Sequence, residues 1–228
     1  EILIGLVGSE MCIRDRAQDP ISCETHALGA VAALGGGLLY LLRGVWTDAA
    51  IPAVAAALCF CLSMAALYAA SAIYHYYPGT AASGGVKRVL RKMDHSMIYV
   101  LIAGSYTPFC VVLLPQPRGT QFCLILWGVA LAGVLAKMLW INAPRMLSTA
   151  VYLIMGWSVV FVAKDFTALG QPCLTLVALG GICYSVGAVF YAVKKPNISA
   201  EWTFHELFHL LILAGSFFHY LAVYLYVL

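Results

Sequence analysis

The chain alternates between long apolar runs and short breaks rich in glycine, proline and charge. Seven runs stand out, at about 24–42, 50–75, 94–114, 120–140, 146–163, 173–193 and 205–227. Each is close to the roughly 20 mostly apolar residues that a membrane-crossing helix needs. The breaks carry turn residues: Gly44 to Asp48, Pro78-Gly79 with Gly84-Gly85, Pro115 to Gly119, Asn142 to Pro144, Gly170 to Pro172, and Pro196-Asn197. The runs use nearly the whole chain and leave no room for a soluble domain. The pattern predicts an all-α fold, a seven-transmembrane-helix bundle, and a multi-pass protein of the cell membrane. The glycines at 35–37, 128 with 133, and 180–181 with 187 are expected where helices pack closely.

Composition agrees with this pattern. Of 228 residues, 63% are hydrophobic and 10% charged, with a mean hydropathy of +0.90. Soluble domains are about 45–50% apolar and about 25% charged. A water-soluble enzyme, a nucleic-acid binder, a disordered chain and a small disulfide scaffold are all excluded on this ground. The eight cysteines, Cys12, Cys23, Cys59, Cys61, Cys110, Cys123, Cys173 and Cys183, contain no CxxC pair, and most lie in apolar runs. They read as small buried hydrophobes.

The net charge of +3 matters less than where the charges fall. With the amino terminus in the cytoplasm, the inside segments hold Arg14, Arg16, Lys87, Arg88, Arg91, Lys92, Lys137, Arg145, Lys194 and Lys195. The outside segments hold only Arg43, Arg118 and Lys164. Lys and Arg favour the cytoplasmic side, so the expected orientation is amino terminus inside and carboxyl terminus outside. It survives removal of Arg14 and Arg16. Those two lie in a segment, VGSEMCIRDR, that looks like translated sequencing-adapter read-through. Residues 1–16 are therefore expected to be an artefactual leader, and 17–228 a single seven-span membrane domain. Asn197-Ile-Ser199 matches a glycosylation site but falls on the cytoplasmic side and is discounted.

Ionisable groups inside spans are costly and point to function. Here they gather at one depth. Ser71 and His75 lie near the cytoplasmic end of the second span, Asp94 and His95 at the start of the third, and His205 to His209 (HELFH) at the start of the seventh. His205 and His209 are one helical turn apart on one face, and Ser71 and His75 repeat that spacing. Three imidazoles, His75, His205 and His209, with a water as fourth ligand make an open tetrahedral zinc site of catalytic type. Asp94 is placed to orient that water or take its proton. The competing reading has these histidines hydrogen-bonding between helices.

The other histidines are read more plainly. His26 shares the cytoplasmic level and reads as a helix-entry hydrogen bond or a support behind the ligands. His219 lies about 15 Å deeper and is expected to make an interhelical hydrogen bond. His95, about 100° round the helix from Asp94, is expected to face elsewhere. HELFH also matches H-E-x-x-H, the zinc-protease helix in which Glu is the general base. That leaves an intramembrane metalloprotease using Glu206 as a rival. It is weakened because the motif sits in the last span, where no later segment can supply a third ligand. A retinal protein is excluded, since 205–227 contains no lysine.

Three motifs, SAIYH, DHSMIYVLIAGSYTPF and HELFHLLILAGSFFHY, resemble those of the hemolysin III family, bacterial relatives of the progestin and adiponectin receptors. DPISCETHALGA and MGW look like this family too, and the likeness runs from about residue 19 to the carboxyl terminus. The resemblance implies zinc on His75, His205 and His209, with Ser71 and Asp94 beside it. Some receptor relatives hydrolyse ceramide, so it also implies a zinc-dependent hydrolase of a lipid amide or ester. A non-enzymatic channel, cytolysin or receptor-like protein with structural zinc is the alternative. A large apolar cavity open to lipid beside the metal would favour the hydrolase.

Overall fold

The computed structural model describes residues 17–79, 85–140, 144–166 and 170–228; the expected leader at 1–16 lies outside the described residues. Among the described residues, seven helices of twelve residues or more follow one another: α1 (Pro20–Trp46), α2 (Ile51–Tyr76), α3 (Gly85–Pro108), α4 (Arg118–Leu139), α5 (Arg145–Gly156), α6 (Gln171–Val193) and α7 (Phe204–Tyr226). There is no strand among the described residues, so the all-α expectation holds. Six of the helices are long and apolar enough to cross a membrane. The fifth expected span is the exception. There a 12-residue helix gives way to a 3-10 stretch (Trp157–Val162) and a short turn (Ala163–Phe166).

Local chemistry sets the helix ends. Pro20, Pro52 and Pro172 occupy the first turns of α1, α2 and α6, where a missing amide hydrogen costs nothing. Pro108 closes α3, and the backbone widens into a π-type segment (Phe109–Leu113). Helix α3 begins nine residues before the apolar run at 94. Its first turns carry Lys87, Arg88, Arg91 and Lys92 between apolar residues, a pattern that hydropathy alone passes over. Buried Lys87 donates to the carbonyl oxygens of Tyr74 and Tyr77. It thereby caps the end of α2 and fixes the start of α3 beside it.

Helices α1 to α4 pack in chain order, α6 packs on α7, and α7 returns to α1. Tyr40, Phe60 and Tyr68 are fully or almost fully buried between them, while Leu34, Leu38, Leu42, Leu124 and Leu131 face outward, as a lipid-facing surface requires. Glycines mark several close approaches. A Cβ on Gly36 would lie 2.8 Å from the Tyr220 ring, and one on Gly133 would lie 2.5 Å from the Tyr99 ring. The expectation fails at Gly35, Gly128 and Gly181, which face open space. The described cysteines are all free; Cys12 lies outside the described residues.

Candidate metal centre

The end of α2, the start of α3 and the start of α7 meet at one end of the bundle, beside the start of α1. His75 arrives from the last turn of α2. His205 and His209 arrive from the first turns of α7. One ligand atom from each lies within 4.8 Å of the other two. The Nε2 atoms of His75 and His205 are 3.2 Å apart, and the rings of His205 and His209 are 4.6 Å apart, centre to centre. His75 and His209 are buried and His205 is partly buried. Metal–imidazole bonds of about 2.0–2.1 Å in a tetrahedron put neighbouring nitrogens about 3.3 Å apart; His75 and His205 have that spacing, and the three imidazoles together are able to hold a metal ion.

Asp19 supports this cluster from the residue before α1. Its carboxylate accepts a 2.9 Å hydrogen bond from His75 Nδ1, and its backbone N–H donates to the His75 carbonyl at 3.2 Å. A proton held on Nδ1 leaves the Nε2 lone pair free for a metal, the usual carboxylate–histidine–metal arrangement. This hydrogen bond also holds the Asp19 carboxyl below its ordinary range, against the opposing effect of partial burial. Sequence reasoning gave Asp19 no role. The available signal was an acid directly before the Pro that opens a helix, which has no meaning until that helix is known to start beside His75.

His26 does not make the hydrogen bond expected at a helix entry. Both ring nitrogens are buried without a hydrogen-bond partner among the described residues. Its ring instead stacks on that of His209, 3.7 Å away and 5° from parallel, and so fixes the plane of one member of the cluster. His219 behaves as expected, donating from Nε2 to the Val177 carbonyl at 3.1 Å and so linking α7 to α6.

Glu206 is engaged elsewhere. Its Oε2 accepts from the Thr203 backbone N–H at 2.9 Å and the Thr203 hydroxyl at 2.6 Å, and its Oε1 accepts from Ser22 at 3.0 Å. With Thr203 as N-cap it forms a capping box at the start of α7.

Two members of the cluster, His205 and His209, border a cavity of about 480 Å³, and His75 is not part of its wall. Ser71, Asp94, His205 and His209 line one end of it. Ser71 is fully buried, its Oγ without a well-formed hydrogen bond among the described residues, and the Asp94 carboxyl lies beside it and within electrostatic reach of His75. His95 also borders this cavity, contrary to expectation, with Nε2 3.9 Å from Asp94 Oδ2. The remaining wall is mostly apolar and follows α3 as far as Phe109, about 22 Å at helical rise. The wall also includes Trp157 and Ile182, each about half exposed on the outer surface of the bundle.

Comparison with known proteins agrees with the resemblance read from the motifs. Residues 15–220 match the family described as Haemolysin-III related. The chain is 33% identical over 207 residues to Hemolysin-3 of Bacillus cereus, covering 90% of this chain and 89% of that protein. It is 38% identical over 158 residues to the Hemolysin-3 homolog of Bacillus subtilis (strain 168), covering 69% and 70%. More distantly, it is 26% identical over 208 residues to the human Monocyte to macrophage differentiation factor, covering 90% and 82%.

Proposed function

The chain belongs to the haemolysin-III related family, and we propose that within this family it is a zinc-dependent membrane hydrolase that cleaves the acyl amide or ester of a lipid. The observation that carries this reading is the junction of a three-histidine cluster with a long, mostly apolar cavity. A purely structural metal needs no such space, whereas an acyl chain fits it. Polar groups gather at the histidine end of that cavity, and the rest of its wall is mostly apolar, interrupted by Ser105, Tyr184, Ser185 and His219. This supports a lipid-binding role over an ion path, and over the lysis that the relatives' name describes.

In this reading His75, His205 and His209 hold zinc, which when bound supplies Lewis acidity, polarising a carbonyl and acidifying water. Asp94, on a helix separate from the ligands, takes the water proton on its carboxylate and delivers it to the leaving group. Ser71 donates from its hydroxyl to orient the water or the carbonyl oxygen. Asp19 and His26 hold the rings of His75 and His209 in place. The apolar wall excludes bulk water and positions the acyl chain. Glu206 works as a helix cap, which removes the main support for a zinc-protease mechanism.

We place the site near the cytoplasmic face, because the basic first turns of α3 lie at the same end as the histidines. The amino terminus is then inside and the carboxyl terminus outside. Metal analysis tests the centre directly. Purified protein should carry about one zinc per chain, and His209→Ala should lose it, because two imidazoles bind far more weakly. Equal zinc in both would remove the assignment. Lipid-hydrolysis profiling of wild type against the same variant then tests turnover.

A further inference from the structure

A second cluster borders the cavity next to the histidines, and it brings two cations together. Lys137 lies near the end of α4, Arg91 in the early turns of α3, and Ser148 and Thr149 on the first turns of α5; all four line the cavity. Lys137 is 5% exposed, and its ammonium donates to the Ser148 hydroxyl. Neither Lys137 nor Arg91 has a carboxylate within ion-pair distance among the described residues; the Asp94 carboxyl acts on Arg91 from farther away. Thr149 is 4% exposed, and its hydroxyl has no hydrogen-bond partner there.

Burying a cation without a counter-charge is expensive. The end of the α4 dipole offsets part of that cost for Lys137; partly buried Arg91 adds a second positive charge beside the cavity, and the Thr149 hydroxyl stays unpaired. An anion in the cavity would satisfy all four groups. Arg91 and Asp94 are i,i+3 on one face of α3, their Cα atoms separated by a rise of roughly 4.5 Å, so this anion would be a near neighbour of the proposed reacting group.

We propose that Arg91, Lys137, Ser148 and Thr149 form a subsite for the phosphate of a lipid whose acyl chain occupies the apolar part of the cavity. A guanidinium, an ammonium and two hydroxyls match the several oxygens of a phosphate better than the two of a carboxylate. The few bonds between an acyl ester and the phosphate of a glycerophospholipid suit two sites built on neighbouring turns of α3. This deepens the hydrolase reading by naming a phosphate-bearing acyl lipid as substrate class, and the part that concerns hydrolysis rests on that reading.

Binding tests the subsite apart from turnover. Purified full-length protein in a neutral detergent is titrated with oleoyl-lysophosphatidate, with monooleoylglycerol, with oleate and with inorganic phosphate, and binding is read by native mass spectrometry. Wild type should prefer the lysophosphatidate to monooleoylglycerol by about tenfold or more, the scale of charge-assisted hydrogen bonds. Lys137→Met and Arg91→Gln should each reduce that ratio toward one, and Lys137→Arg should keep it. Unchanged monooleoylglycerol binding reports that a variant is folded; if Lys137→Met fails this check, Arg91→Gln decides. No preference in wild type, or a preference that survives in the folded variants, would overturn the subsite. Oleate binding as tightly as lysophosphatidate would overturn the phosphate assignment, and inorganic phosphate binding equally well would overturn the lipid assignment. A preference lost as expected, in a protein with no hydrolytic turnover, would keep the subsite and remove only the hydrolase.

Discussion

Two acids compete for the role of general base, and their surroundings separate them. Asp94 lies beside Ser71 at the edge of the cavity, whereas both oxygens of Glu206 accept hydrogen bonds at the start of α7. Asp94→Asn should therefore keep the metal and lose about 10²- to 10⁴-fold in turnover, read by metal analysis beside lipid hydrolysis. Glu206→Gln, which can keep the capping box, should leave turnover and stability near wild type. The reverse pattern would restore the zinc-protease reading. Asp19 supplies a finer test. Asp19→Asn leaves all three histidines in place but weakens the hold on the His75 tautomer. Zinc affinity should fall about 10- to 100-fold in competition with a chelator of known strength; an unchanged affinity would reduce Asp19 to a helix-start contact.

At the scale of elements, α4 contains its own control. Gly128 faces open space, while a Cβ at Gly133 would press on the Tyr99 ring, which is buried and 4% exposed. Alanine in a helix gains about 0.5–1 kcal/mol over glycine, and that gain should appear at Gly128→Ala as a small rise in melting temperature. At Gly133→Ala the clash should outweigh it, with a net loss of about 1–3 kcal/mol typical of overpacking. Similar melting temperatures for the two variants would show that α3 and α4 are not packed at this point. The fifth helix departs most from the sequence expectation. Its apolar run reads as a full span, yet the α-helix stops at Gly156 and tightens into a 3-10 stretch. That change falls where Gly156 and Trp157 border the cavity, and the Trp157 indole donates to Ser185 of α6 at 3.0 Å. Hydropathy averages over a window and cannot register a change of helix type within it.

At the scale of the whole molecule, the proposed metal ties α2 to α7, segments 130 residues apart in sequence. Anything that binds only the folded state stabilises it by mass action, about 4 kcal/mol at a thousand times the dissociation constant. Chelation should therefore lower the melting temperature of wild type by several degrees and leave His209→Ala unchanged. An equal shift in both would point to metal bound elsewhere. The orientation is tested by tags. Tags on the amino terminus and in the loop between α6 and α7 should report from the cytoplasm, and one on the carboxyl terminus from outside. A cytoplasmic carboxyl terminus would mean an even number of crossings and would move the short fifth helix out of the count.

The all-α class, most helix positions and the residues of the histidine cluster were legible in the sequence, because each depends on a local property. Apolar run length marks a span, and an i,i+4 pair marks a helix face. His75 joined His205 and His209 because alternating spans return polar groups to one level. Depth, however, is a single coordinate. It placed Asp94, His95 and His26 correctly along the bundle but not around it. The capping role of Glu206 is local to Thr203 and Glu206 and legible as a helix-start acid. By contrast, only helix packing set His26 flat against His209, brought Asp19 behind His75 and turned His95 toward the cavity. The same holds for Lys137, which in sequence is one more cytoplasmic lysine supporting the orientation. Its burial beside Arg91 follows from the angular placement of α3, α4 and α5, which a linear pattern of apolar and polar positions does not encode.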